Sequence, residues 1–368
     1  MTDSPINDLD ELLEAFGTDS IDDVAWMIEE AAGDVTDGRT VTIRDESDEA
    51  FTVFVDVLGT EIEFPTTMAE IIHTANDIEP MLQERERTFR VIPGDPESCV
   101  ILHVPHSSRR IPSDLRHDIL LDDVALEREL DAVTDAFADV IAQRAADLSR
   151  LRPWIFVNET SRLVVDPERF PDESEEMNTV GMGAIYTRTS TGGTLRDEAE
   201  HDNTMLLDEY FEPYAAAFTA VVEDRFGVAG QAIVVDLHSY PAEALPYELH
   251  GDGPRPEVCL GTDAFHTPRG LEKAARSAFS SFLIDVNTPF AGCYVPLAHY
   301  GRDDRVQGLM VELRRDLYMD ESFELVEPAV EPIARSIADL LDDIDLGVTI
   351  TCHGMNDVDG QLFPKKDA

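Results

Sequence analysis

From about residue 97 to 345 the sequence predicts an α/β domain, a mixed and largely parallel sheet flanked by helices. Three observations predict it. Short apolar runs recur, as at 99–104, 231–237 and 309–313, the pattern of strands covered on both faces. Segments with helical periodicity lie between them. Three of the runs also end in His, Asp or Glu, where open α/β sheets bind their ligands.

The elements follow in order. The run 99–104 is the first strand. A long helix starts at Asp122 and continues to about 148. Residues 154–157 and 163–165 read as strands. The stretch 167–200 is a long polar loop carrying Gly181, Gly183, Gly192 and Gly193, and loops of that length in compact domains serve function or move. A helix over 203–226 precedes the strand 231–237. A Pro/Gly-rich loop leads to a strand at 257–260, a helix at 268–280, the strand 309–313 and a last helix at 321–341. Residues 346–368 read as a loose tail.

Residues 1–92 read as a small α+β unit. A short helix covers 6–16, and Ser20 caps a second with Ile21, Val24, Ile28 and Ala31 on one face. Strands follow at 39–43, 51–58 and 61–64, and a helix at 67–87 closes the unit. Pro93-Gly94-Asp95-Pro96 is the linker.

Charge bounds the partners. The 368 residues carry 76 acidic and 28 basic side chains, a net charge of −48, and the lysines are Lys273, Lys365 and Lys366 alone. Such a field repels nucleic acid and anionic membranes. It also strains a compact state unless molar salt shortens the Debye length to about 3 Å. The composition therefore reads as that of a halophilic protein of the cytoplasm. The N-terminus is acidic and polar, unlike a signal peptide, and no apolar run approaches the roughly 18 residues of a membrane span. Cys99, Cys259, Cys293 and Cys352 show no CxxC spacing and read as free thiols.

The chemistry gathers at three strand ends. In "VILHVPHSSRRIP" His103 lies within the strand and His106 just past it. "AIVVDLHSYP" ends in Asp236, His238 and Ser239. "LMVELRRDLYM" places Glu312 and Arg314 in an apolar strand. A carboxylate there is costly unless paired or near a metal. Two imidazoles and a carboxylate suit Zn²⁺ with an open position. A further carboxylate can move the proton of a water, so these parts point to metal-assisted amide hydrolysis.

The segments "HVPHSSRRIP", "SRLVVDPER", "DLHSYP" and "HYGRDDRVQGLMVELRRDLYM" occur in an order that resembles the N-formylglutamate amidohydrolase family, itself similar in fold to the zinc carboxypeptidases and phosphorylase/hydrolase-like proteins. The resemblance covers about 99–320. It implies one Zn²⁺, or another divalent ion, on His106 and His238, with Glu312 as general base. His103 reads instead as a packed or supporting residue. The carboxypeptidase pattern has a glutamate three residues after the first histidine, where this chain has Arg109. The resemblance points to Asp131 in "LDAVTD" as third ligand, with Asp135 and Glu129 as alternatives. Helical spacing sets Leu126, Leu130, Val133, Phe137, Val140 and Ile141 on the apolar face, and both aspartates off it.

The resemblance also implies that Arg162 and Arg169 bind substrate carboxylates, with Tyr186 and Tyr300 lining the pocket and Arg302 stabilising the oxyanion; His299 belongs to the same loop. Two departures stand near the site. Asp166-Pro167-Glu168-Arg169 replaces the family's usual Asp-x-Asn-Arg, and Ser108 stands where glycine is usual. The expected activity is hydrolysis of N-formylglutamate or a similar N-acyl acidic amino acid. The alternatives are a zinc peptidase or amidase acting on another acyl or poly-glutamyl substrate, and a relative that binds without catalysis.

Overall fold

The computed structural model describes residues 88–197, 203–249 and 253–353, the part from 346 as backbone alone, and the backbone of three N-terminal strands. The chain divides into two compact units, Met1–Arg87 and Thr88–Ala368.

In the first unit β1 (Thr40–Ser47), β2 (Ala50–Val57) and β3 (Thr60–Thr67) form an antiparallel sheet in that order. Val53 stands opposite Ile43 on one side and Phe64 on the other. The helices expected at 6–16, after Ser20 and at 67–87 lie outside the described residues, as does residue 354 onward of the tail expected at 346–368, while 346–353 continue the last helix.

The second unit is built on seven strands in the order β4-β6-β5-β7-β10-β8-β9. These are β4 (Phe89–Ile92), β5 (Val100–Val104), β6 (Trp154–Asn158), β7 (Ala232–Tyr240), β8 (Val258–Gly261), β9 (Ile284–Val286) and β10 (Val306–Arg314). The central four, β6-β5-β7-β10, run parallel. Edge strand β4 is antiparallel to β6, and β8 is antiparallel to β10. The sheet is thus mixed and largely parallel, as the apolar runs predict.

Strand periodicity decides what lies on each face. Val100, Leu102, Val235, Leu237, Leu309 and Val311 point to one side. There they meet α2 (Ala138–Leu148) and α5 (Glu327–His353) through Ile141, Ala145, Ile333 and Ile337. Ile101 and Val234 point to the other, against Tyr214 and Phe218 of α3 (Glu212–Ala229). The alternate positions His103, Asp236, His238, Met310 and Glu312 share this second face. Register aligns them: His103 pairs with Asp236, Asp236 with Met310, and His238 with Glu312.

Three expectations are corrected. The helix read over 122–148 is two helices. α1 (Asp123–Val133) is capped by Asp122, whose carboxylate accepts from Ala125 N at 2.8 Å, and it ends at an extended Thr134. α2 begins after Phe137, whose φ is 65°. No Gly or Pro marks this break. It is held from outside, because Asp135 N donates to His106 O at 2.9 Å. Second, 163–165 is a buried turn closed by Val164 N to Ser161 O at 2.8 Å. Its apolar side chains fill two small cores without joining the sheet. Third, Phe89–Ile92, expected in the first unit, is β4 of the second unit's sheet and pairs with β6.

The long loop 167–200 is pinned from within. Buried Arg196 donates to Tyr186 O at 2.8 Å and to Leu163 O at 2.5 Å. α4 (Arg269–Ala278) packs beside α5 through Leu271 and Ala275. No helix among the described residues is long and apolar enough to cross a membrane.

Candidate active site

The carboxyl ends of β5, β7 and β10 converge with the break between α1 and α2. His106, just past β5, and His238, in β7, bring their Nδ1 atoms to 3.2 Å. Asp135 Oδ2 lies 3.1 Å from His238 Nδ1 and 3.6 Å from His106 Nδ1. All three residues are buried. Burial alone would raise the Asp135 carboxyl, but hydrogen bonds to His106 and His238 hold it well below the usual carboxylate range.

The break between the helices is what makes this geometry. A continuous helix would keep residue 135 one turn from Asp131, off the apolar face. The extended Thr134 carries Asp135 inward instead. Arg315, just after β10, locks it there. Its guanidinium donates to Asp135 Oδ1 at 3.2 Å, to Ser239 Oγ at 3.1 Å and to Ala132 O at 2.8 Å.

Around this triangle stand more carboxylates. His106 Nε2 bonds Asp166 Oδ1 at 2.9 Å. Asp166 also takes Arg162 Nη2 at 2.7 Å and the Tyr186 hydroxyl at 2.6 Å. His238 Nε2 lies 3.0 Å from Asp236 Oδ2 and 3.1 Å from Glu168 Oε2. Burial works against a charged His238, yet Asp236 and Glu168 hold its pKa well above the ordinary value. Glu312, paired across the sheet with His238, is buried and its Oε2 has no hydrogen-bond partner. Burial pushes its carboxyl up to about 8; His238 pulls it down, and Asp135 and Asp236 push it up.

The donor set fits a divalent ion. Zn–N bonds of about 2.0–2.1 Å at tetrahedral angles set neighbouring donors about 3.3–3.4 Å apart, and the triangle's edges of 3.1, 3.2 and 3.6 Å bracket that value. Glu312 Oε2, on the residue paired across the sheet with His238, is buried without a hydrogen-bond partner, a cost that polar groups seldom carry without a reason. Of the carboxylates here, Asp166 is paired with Arg162 and Arg169 and Asp135 with Arg315, while Glu168 and Asp236 meet only histidines among the described residues.

Not every residue singled out in the sequence reaches the cluster. His106, His238 and Glu312 do. Asp131 does not: it is part-exposed on α1, and its carboxylate takes Arg109 Nη1 at 2.8 Å. The acid that reaches the imidazoles is Asp135. Glu129 is held elsewhere by Ser190 N and Oγ at 2.6 and 2.9 Å. Arg162 and Tyr186 stand behind Asp166, the guanidinium pairing its charge and the hydroxyl donating to it. Arg169 and Tyr300 line a cavity of about 200 Å³ that Glu168 and Asp236 also border; Arg169 Nε has no hydrogen-bond partner. Arg302 is exposed in its turn. His299 lies beside Glu223 at 3.6 Å. Sequence reasoning overlooked Asp166 as the partner of His106 and Arg315 as the clamp on Asp135. Both stand in quoted segments, "VVDPER" and "ELRRD", where only long-range contacts reveal their use.

The model of the N-formylglutamate amidohydrolase family matches residues 98–319. The chain belongs to that family. No curated protein matches the sequence. Among solved structures, N-formylglutamate amidohydrolase from Ralstonia eutropha JMP134 superposes with a TM-score of 0.59 at 23% identity, over 72% of this chain and 99% of that one. A gene product of Agrobacterium tumefaciens superposes at 0.52 and 19% identity, over 74% and 98%. These likenesses are likenesses of fold. The family match contains β5 to β10 and hence His106, Asp135, Asp166, His238 and Glu312; the first unit lies outside it.

Proposed function

We propose that this protein hydrolyses the amide bond of N-formylglutamate or a similar N-acyl acidic amino acid, with a divalent ion, zinc foremost, held by His106, Asp135 and His238. The observation that carries the reading is the triangle formed by two imidazole Nδ1 atoms and one carboxylate oxygen. Family membership supports amide hydrolysis and the substrate class. A divalent ion there would supply Lewis acidity toward the acyl carbonyl and toward a water.

The chain's own groups do the rest. Asp166 accepts the Nε2–H of His106, which fixes the tautomer and leaves the Nδ1 lone pair facing the triangle. Arg315 holds Asp135 in place. Glu312, next to His238 in the sheet, takes a proton from the attacking water and delivers it to the departing nitrogen. Arg169 offers its guanidinium to a substrate carboxylate in the cavity that Tyr300 borders. The acid-rich composition supports turnover in concentrated salt.

The test is formate release from N-formylglutamate in molar KCl, before and after chelation. The reading expects turnover that stops with chelator and returns with Zn²⁺. Release that ignores the chelator would contradict the metal, and no release under any metal would contradict the substrate.

A further inference from the structure

A second group of donors lies on the same face of the sheet, apart from the triangle. His103 Nδ1 is 2.9 Å from Asp236 Oδ1 and 3.4 Å from Glu168 Oε1. His103 and Asp236 are buried. Each carboxylate turns its other oxygen toward His238 Nε2, at 3.0 Å from Asp236 and 3.1 Å from Glu168. Glu168 Oε1, the oxygen left facing His103, is buried without a hydrogen-bond partner. Leaving polar atoms so costs free energy unless something else binds them.

The remaining contacts suit a cation. His103 Nε2 meets the Tyr214 hydroxyl at 2.5 Å. With Nε2–H donated to that oxygen, Nδ1 turns a lone pair to the carboxylates, the usual arrangement of a ligating histidine. The spacings of 2.9 and 3.4 Å are edges that bonds of about 2.0–2.2 Å can span. The cavity of about 200 Å³ reaches both Glu168 and Asp236, giving an ion a route in and water for its open positions.

We propose that His103, Glu168 and Asp236 form a second divalent-cation site beside the first. One imidazole and two carboxylates suit Zn²⁺, Co²⁺ or Mn²⁺ more than Mg²⁺ or Ca²⁺. The site stands on donors separate from His106 and Asp135, so it holds or fails independently of the proposed function.

The experiment counts metal. The full chain is stripped with chelator in molar KCl, which also suppresses loose binding to surface acids, and then titrated with Co²⁺. Bound metal is measured after desalting, and the visible Co²⁺ spectrum is recorded. The wild type should hold two tight equivalents. Glu168→Gln, which keeps the shape, should lose one and keep the triangle's. Asp135→Asn should lose the other. A wild type that saturates at one equivalent, with Glu168→Gln unchanged and Asp135→Asn empty, overturns this site and leaves the proposed function standing. One equivalent lost with Glu168→Gln alone supports this site and contradicts the triangle. No tight binding overturns both. Circular dichroism confirms that each variant is folded, and the wild-type count decides without any variant.

Discussion

The Nδ1 atoms of His106 and His238 lie 3.2 Å apart although the residues are 132 positions apart in the chain. Two parallel strands side by side bring them together, and a broken helix supplies Asp135 as the third corner. Two aspartates one turn apart in sequence therefore have opposite fates. Asp135→Asn should lower metal affinity and turnover by more than the about 10–100-fold typical of losing an outer partner. Asp131→Asn removes only a part-exposed pair with Arg109, so stability should change by less than about 1 kcal/mol and activity should stay normal. Paired metal and rate measurements check both; an inactive Asp131→Asn with intact Asp135→Asn would reverse the assignment.

Glu312 is given a proton-moving role, not a ligand role. Glu312→Gln keeps the volume of the side chain and removes the base. Turnover should fall by about 10²–10⁴-fold while the ion at the triangle remains bound. Full turnover by the variant would remove Glu312 from the chemistry.

Asp345, in α5, offers a test of pH dependence away from the site. Burial pushes its carboxyl from 3.8 to about 7, helped by Asp342 and Asp95. The folded state therefore holds this proton more tightly than the unfolded chain. Its contribution to stability is intact below about pH 4 and is lost as pH rises through about 7. Asp345→Asn should raise the melting temperature relative to wild type at pH 8 and do little at pH 4. An equal effect at both pH values would contradict the shift.

The charge of −48 predicts salt dependence. Screening lengths grow from about 3 Å at 1 M to about 10 Å at 0.1 M salt, so dialysis from 2 M to 50 mM KCl should reduce the helix signal in circular dichroism. A spectrum and melting point unchanged between those salts would contradict a halophilic adaptation.

Much of the fold was legible because β5, β7 and β10 are apolar on both faces and end in polar residues. His106, His238 and Glu312 could be picked out for the same reason. Asp135 could not be chosen over Asp131, because local periodicity reads through the Thr134–Phe137 break as helix. Nothing in the composition of that segment marks the break; its cause is a hydrogen bond to His106 O, a contact from elsewhere in the chain. Arg162 and Tyr186 were recognisable as important but not as partners of Asp166, since a guanidinium near an active site can face the substrate or a buried acid. The strand expected at 163–165 failed because burial of apolar residues does not require a ladder.

The central claim is a cation at the triangle, and X-ray diffraction at the zinc absorption edge from crystals grown with Zn²⁺ tests it most directly. The account predicts an anomalous peak within about 2.0–2.2 Å of His106 Nδ1, His238 Nδ1 and an Asp135 carboxylate oxygen. Full zinc occupancy elsewhere with none between these three residues, in an enzyme still active on its substrate, would contradict it.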